Sequence, residues 1–429
     1  MSESALTPDD LWELIKAQLI EKGLVRQHLD SFNEFVEHGL QQVINEIGII
    51  EPEITRRTNR EERASFYVRL GRIRVGRPSI REPTGTMVPI YPSEARLRNL
   101  TYAAPLYLEM TLVYRSENGI ESPEQTEEVF IGMLPIMLKS KYCLLHGLSD
   151  EELIKLGEDP KDTGGYFIIN GSERVLVAQE DLAPNRVLVD EADKSGNITH
   201  VAKVFSVRRG FRAPLLIERK KNGTLQVSMP SVPGKIPFAI LLRALGVISD
   251  KEIVDVVGGD EDIVRELVPS LDEAKHIFVP GNRIQTEENA LDYIGKRVAV
   301  GQMREYRIQR AQQVIDYYLL PHIGTLPEDR LKKAYFLGHM ARKLIELALG
   351  KRKPDDKDHY ANKRLRLAGD LLMSLFRVAF NNLAKDIKYQ LQRAITRGKP
   401  ILTKTTVRAD LITERLKHAL ATGNWVGGK

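Results

Sequence analysis

The 429-residue chain is predicted to be an α+β protein in which one domain interrupts another. Three observations predict this. Stretches with two-residue apolar alternation lie among stretches with three- and four-residue apolar spacing, so strands and helices are both present. After Pro184 the texture changes to short strands with turns at Ser195-Gly196, Arg209-Gly210 and Asn222-Gly223, and then to helices. Last, the polar linker LGKRKPDDKDHY leads into a long helix with one apolar face. On this organisation residues 186–354 are an inserted mixed α/β domain. Residues 355–405 complete the domain begun by residues 1–185, and residues 406–429 start a third element that the chain does not finish.

The length suits two or three domains. With 42% hydrophobic and 28% charged residues the chain is globular in composition. No apolar run approaches the ~18 residues of a membrane span. The start, MSESALTPDDLWELIK, lacks the basic region and apolar block of a signal peptide. Cys143 is the single cysteine, which leaves no disulfide framework and no cysteine zinc site. A cytoplasmic protein is expected, or a nuclear one if the source is a eukaryote. Net charge is +5, but residues 331–429 hold 22 Lys/Arg against 8 Asp/Glu, net +14, and the remainder carries −9. Such asymmetry suits a polyanion at one face. Nucleic acid is preferred to a membrane surface, because no basic amphipathic helix with a Trp/Phe/Leu-rich face stands out.

Taken in order, Thr7 and Pro8 start a first helix whose apolar face is Trp12, Ile15, Leu19 and Ile20 and which Gly23 ends. Leu29 to Ile47 forms a second, its aromatics Phe32 and Phe35 sharing a core stripe. SFYVRLGRIRVGRP reads as a strand pair, Phe66/Val68/Leu70 then Ile73/Val75, with Arg69, Arg72, Arg74, Arg77 and Arg81 on the polar side. That side is either an exposed strand face or a phosphate-binding one. Thr101–Tyr114 and Glu128–Met137 read as strands. Arg96 and Arg98 share a face if their segment is extended, as an ion pair or a phosphate contact. Ser149 caps a short helix. Tyr166–Ile169 and Val175–Ala178 form a hairpin about Asn170-Gly171. In 186–234 the cations Lys203, Arg208, Arg209, Arg212, Arg219, Lys220 and Lys221 interleave with Phe205 and Phe211, which suits either charged hairpin tips or a single-strand surface. Helices follow at 236–245, 250–257, 261–268, 289–294, 303–318 and 329–349. His322 is read as structural.

The return stretch places Lys363, Arg364 and Arg366 at the mouth of a helix whose apolar face runs from Leu367 to Leu391. A basic loop on a buried helix aims charge at a phosphate backbone; a solvated charge run is the plainer reading. The segment Asp356, Asp358, His359, Asn362, Lys363, Arg364, Gly369, Leu371, Leu372 resembles a signature of the second-largest subunit of multisubunit DNA-directed RNA polymerases. Five further segments resemble the same family in order: Glu94–Tyr102, Gly132–Ser140, Gly165–Gly171, the run from Ile236 to Ile253, and Leu416–Lys429. Their wording is closer to archaeal and eukaryotic versions than to bacterial ones. It is similar to the N-terminal piece of the second-largest subunit in those archaea that split it into two polypeptides.

The resemblance implies a discontinuous protrusion domain, an inserted lobe and the start of the fork, forming one wall of the DNA cleft. Together with the +14 charge of the tail it points to nucleic-acid contacts at Lys363, Arg364 and Arg366, supported by Lys404, Arg408 and Lys417, with His359 and Asn362 either shaping the loop or donating to phosphate themselves. Asp355, Asp356 and Asp358 lack the context of a two-Mg²⁺ polymerase site. No Ser-His-Asp order, Walker loop or HExxH motif is present, so no catalytic residue and no metal ligand is assigned. Mg²⁺ is expected in the assembled enzyme, on the largest subunit. Expected partners are that subunit, the remaining half of the second-largest subunit, DNA, and initiation and elongation factors on the protrusion and lobe; no membrane is expected. The alternatives are a stand-alone nucleic-acid-binding protein and a separate enzyme that uses the three aspartates for metal.

Overall fold

The computed structural model describes residues 7–52, 65–82, 86–115, 121–192, 196–208, 211–258, 260–279, 282–396 and 406–425. Helices and antiparallel sheets make an α+β protein. The chain divides into two compact units, residues 1–179 with 365–429, and residues 180–364. No helix among the described residues is long and apolar enough to cross a membrane.

The first unit is built on an antiparallel sheet ordered Ile49–Ile50, Ser65–Val75, Ala103–Arg115, Glu121–Pro135. Residues 65–75 form one strand, not the expected pair. Its register shifts between Leu70 and Ile73, where the apolar positions change from even to odd numbers. A β-bulge inserts one residue and turns the alternation over, so Val68, Leu70, Ile73 and Val75 all reach the core side.

Helices Arg26–Glu34 and Leu40–Ile47 are joined through the π-helical turn Phe35–Gly39. Phe32, Phe35, Leu40 and Ile44 are buried, as a core stripe should be. The helix Pro8–Lys22 has the expected Thr7 cap, reinforced by Asp10, but its apolar residues stay exposed. Leu11, Trp12, Leu14, Ile15, Leu19 and Ile20 spread round too much of that helix to make one packing stripe.

The long helix Ala368–Thr396 packs on helices Arg26–Glu34, Leu40–Ile47 and Asp410–Thr422. Phe376 meets Phe35 edge-on, with centroids 6.4 Å apart, and stacks on Phe380 at 5.8 Å. At its first turn Gly369 N donates to Ser31 Oγ at 2.9 Å, and a Cβ there would overlap the Ser31 carbonyl oxygen. Arg377 donates to both oxygens of Glu46, at 2.8 and 3.0 Å. Trp425 Nε1 donates to the Leu371 carbonyl at 2.8 Å.

Arg96 and Arg98 lie at a short helix, Pro92–Leu97, rather than on an extended face. Arg96 bonds Glu158 at 2.9 Å, Glu173 at 2.8 Å and the Tyr166 hydroxyl at 2.8 Å, so its guanidinium ties three segments together. In the hairpin Phe167–Ile169/Ser172–Arg174, Asn170 and Gly171 have φ of 51° and 76°. This two-residue turn reverses the chain at once, which places the second strand earlier than expected.

The second unit holds a five-stranded antiparallel meander: Leu188–Glu191, Ile198–Arg208, Phe211–Lys220, Leu225–Ser228, Ile236–Pro237. Helices Phe238–Ala244, Asp250–Val257, Glu261–Lys275, Glu287–Val298, Arg304–Tyr318 and Arg330–Ala348 share its core. The helix from Glu261 continues past Val268 through Pro269, because Leu267, Leu271 and Ala274 extend one buried face. Lys333 is fully buried, and its Nζ donates to the carbonyls of Ile315 (3.0 Å) and Asp316 (2.7 Å) near the end of Arg304–Tyr318. His322 is held by Ser206 Oγ at 2.7 Å and by the ring of Phe336, a structural setting.

Candidate nucleic-acid interface

The basic return stretch begins at a stitched loop in the second unit. Asp355 accepts from Val189 N and donates its own N–H to the Val189 carbonyl, both at 2.9 Å, which fixes the loop along the strand Leu188–Glu191. Arg352 Nη2 donates to its other oxygen at 2.7 Å. Asp356 Oδ1 accepts from Asp358 N at 2.8 Å. His359 Nδ1 accepts from Ala361 N at 3.1 Å, capping the single turn Tyr360–Asn362. The buried Asn362 side chain donates to the Asp356 carbonyl, and its backbone carbonyl accepts from Ala183 N at 2.8 Å. Removing that amide leaves a carbonyl unpartnered, so Asn362→Ala is expected to cost about 1–3 kcal/mol, read as a lowered melting temperature. An unchanged melting temperature would count against a loop held from Asn362.

Residues Lys363–Arg366 then extend as a short strand, so Arg364 and Arg366 point to one side and Lys363 to the other. Lys363 pairs with Glu180, and with Asp358 at 3.7 Å; the hydrogen bond to Glu180 holds its ammonium above the ordinary lysine range. Arg364 is exposed, and among the described residues its side chain donates only to backbone carbonyls, of Ala361 at 3.2 Å and Lys363 at 2.7 Å. The Arg366 side chain has no ion pair or hydrogen bond among the described residues. Asp370 is instead used to accept from Leu367 N at 3.2 Å. The carboxylates nearest in sequence, Asp356, Asp358 and Asp370, bond Lys363 and backbone N–H groups rather than the two arginines.

The supporting cations are dispersed. Lys404 lies outside the described residues, as does Arg209. Arg408, well exposed, sits 3.5 Å from Asp386. Lys417 is half-buried on the helix Asp410–Thr422 and lines an apolar groove of about 590 Å³ with Tyr107, Phe130 and Met133. Elsewhere, Arg74 is taken by Glu128 at 2.7 Å and lies over the Tyr107 ring. Arg212 pairs with Asp181 at 2.6 Å and stacks on Phe205, while Arg219 pairs with Glu266. Sequence reasoning missed Glu180 as the partner of Lys363; nothing local to either residue signals a contact across that many positions.

Asp355, Asp356 and Asp358 do not converge on a common point; their oxygens serve the loop instead. Among the described residues the ligand-type groups that do converge are Glu34, Glu37 and His38, all exposed, with Glu37 paired to Lys141 at 2.7 Å.

Residues 23–414 match the family described as RNA polymerase beta subunit. The chain is 56% identical over 426 residues to DNA-directed RNA polymerase subunit Rpo2 of Saccharolobus solfataricus, covering 99% of this chain and 36% of that protein. It is 51% identical over 418 residues to subunit Rpo2N of Methanocaldococcus jannaschii, covering 97% and 81%, and 49% identical over 425 residues to Rpo2N of Halobacterium salinarum, covering 98% and 79%. The chain belongs to the RNA polymerase beta subunit family, as the N-terminal part of the second-largest subunit. It spans about a third of the length of the Rpo2 relatives and about four fifths of the Rpo2N relatives.

Proposed function

We propose that the chain acts as a non-catalytic part of DNA-dependent RNA polymerase that forms one wall of the DNA cleft and positions DNA during transcription. The unit of residues 1–179 and 365–429 serves as the protrusion with the start of the fork, and residues 180–364 as the lobe. The observation that carries this reading is identity of about half or more over nearly the whole chain to proteins named as polymerase subunits. Those names favour a subunit over the stand-alone nucleic-acid-binding alternative. The partners are the largest subunit, the remaining half of the second-largest subunit and DNA, with initiation and elongation factors on the outer faces. Mg²⁺ belongs to the largest subunit.

Arg364 and Arg366 are the phosphate contacts best prepared for this role, since neither is spent on a carboxylate among the described residues. Backbone contacts carry no base information. In the assembled complex, Arg364→Ala and Arg366→Ala should each lower the salt slope of DNA binding by about one unit, uniformly across sequences. Lys363→Ala should show a smaller change in slope, because Glu180 and Asp358 already hold that ammonium. Unchanged slopes for both arginine variants would remove this stretch from the interface. Nucleotide incorporation by the pure chain with Mg²⁺ would overturn the non-catalytic reading.

A further inference from the structure

We infer that the second unit carries a site for a single-stranded nucleic-acid segment, in the cleft between the end of helix Arg304–Tyr318 and the start of strand Phe211–Lys220. Exposed rings there would stack bases, and two guanidiniums would take phosphates. The cleft measures about 500 Å³, within the range of ligand sites. Phe211 is 44% exposed and Tyr317 60% exposed, so both present usable ring faces. Phe211 is held in place by Tyr318, edge to face at 5.7 Å and 74°. Arg310, Gln313 and Tyr317 fall at three- and four-residue steps on one helix face. Tyr306, 54% exposed, extends that stripe one turn further. From Tyr306 to Tyr317 the stripe runs about 16 Å at 1.5 Å per residue, enough for a short strand segment.

Charge decides what class of ligand fits. On the same helix Arg304 and Arg307 pair with Glu288 and Asp292. On the adjoining strand Arg212 and Arg219 pair with Asp181 and Glu266. The two guanidiniums of the cleft do not follow suit. Arg310 donates to Gln313 at 3.1 Å, and Arg208 donates to the Pro321 carbonyl and Thr325 Oγ1, each at 3.3 Å. No carboxylate lines the cleft among the described residues. Cations without counter-charges beside open rings match a ligand that alternates anionic groups with flat aromatic ones. A duplex supplies the phosphates but keeps its bases paired and out of reach; a single strand supplies both. The site uses none of Lys363, Arg364 or Arg366 and does not rest on the polymerase reading.

The test uses the full chain and fluorescently labelled oligonucleotides of about 15 residues, as oligo-dT, as oligo-U and as a matched duplex, read by anisotropy. Tyr317→Ala is expected to weaken single-strand binding about 5- to 100-fold, the range of one lost base stack, while Tyr317→Trp retains it. Arg310→Ala is expected to lower the salt slope by about 0.7. Melting temperatures of all three variants should match the wild type, because both side chains are exposed and carry no structural ion pair. The tighter of the DNA and RNA arms identifies the strand. Failure of both single strands to bind, affinities unmoved by Tyr317→Ala and Arg310→Ala, or an equal loss for duplex and single strand would each overturn the site.

Discussion

Gly369→Ala is expected to destabilise the first unit by about 3 kcal/mol or more. In an ordinary helix interior the same change would stabilise by about 1 kcal/mol, since alanine is the better helix former. The sign reverses here because the helix Ala368–Thr396 starts against the backbone of Ser31. A methyl group at Gly369 would overlap the Ser31 carbonyl oxygen, and backbone cannot rotate aside as a side chain can. The helix would have to move, which stretches the Gly369 N to Ser31 Oγ bond and parts Phe376 from Phe35. The measurement is the urea midpoint, with Asn382→Ala, exposed on the same helix, as a control expected within about 0.5 kcal/mol of wild type. A midpoint for Gly369→Ala equal to the control would show that helix and backbone do not meet this closely.

The second large effect is a dependence on alkaline pH carried by Lys333. Burial strips water from its ammonium and pushes the pKa down to about 8; Asp316 and Asp329 oppose this, while Arg330 and Arg208 reinforce it. In the unfolded chain the group titrates near its ordinary value of 10.5. Between about pH 8 and about pH 10.5 the unfolded state therefore binds more protons, and stability contributed by this group rises with pH. The gap corresponds to about 3 kcal/mol. A neutral amine still has two N–H donors for the carbonyls of Ile315 and Asp316, so the cap survives deprotonation. Because tyrosines and other lysines also titrate there, the informative quantity is the difference between wild type and Lys333→Met. That difference should shift in favour of the wild type by about 3 kcal/mol across this interval. Parallel pH profiles would refute a buried charged lysine.

What was legible in the sequence was whatever a few neighbouring residues decide. Ser149 bonds the third residue onward and starts its helix as a cap should. Asn170-Gly171 marked its hairpin, and the apolar spacing after Leu367 marked the return helix. The strand at Ser65–Val75 shows the limit, since a change of alternation phase looks the same whether the chain turns back or bulges. Tertiary choices were not readable. Lys333 follows Lys332 in sequence, yet one is buried as a cap and the other exposed beside Asp329. At the candidate interface the cations themselves were visible. That Lys363 is spoken for and Arg364 is not depends on Glu180, far away in the chain. In the aromatic cleft Arg208 and Phe211 were visible as a basic, aromatic stretch, but their companions Arg310 and Tyr317 come from a helix about a hundred residues on.

The interruption of the first unit sets an order of events during synthesis. Its core joins Phe35 and Leu134 to Phe376, Ile412 and Leu416, which are made only after residues 180–364. At roughly 5–20 residues per second, the chain spends roughly ten to forty seconds making the second unit before the closing helix begins to emerge. Through that interval the sheet and the helix Leu40–Ile47 lack the side chains that cover them, while the second unit is contiguous and can complete its own core. The later-made unit is thus expected to be the first to fold. The earlier-made one waits with apolar surface exposed, the state in which a nascent chain most needs a chaperone.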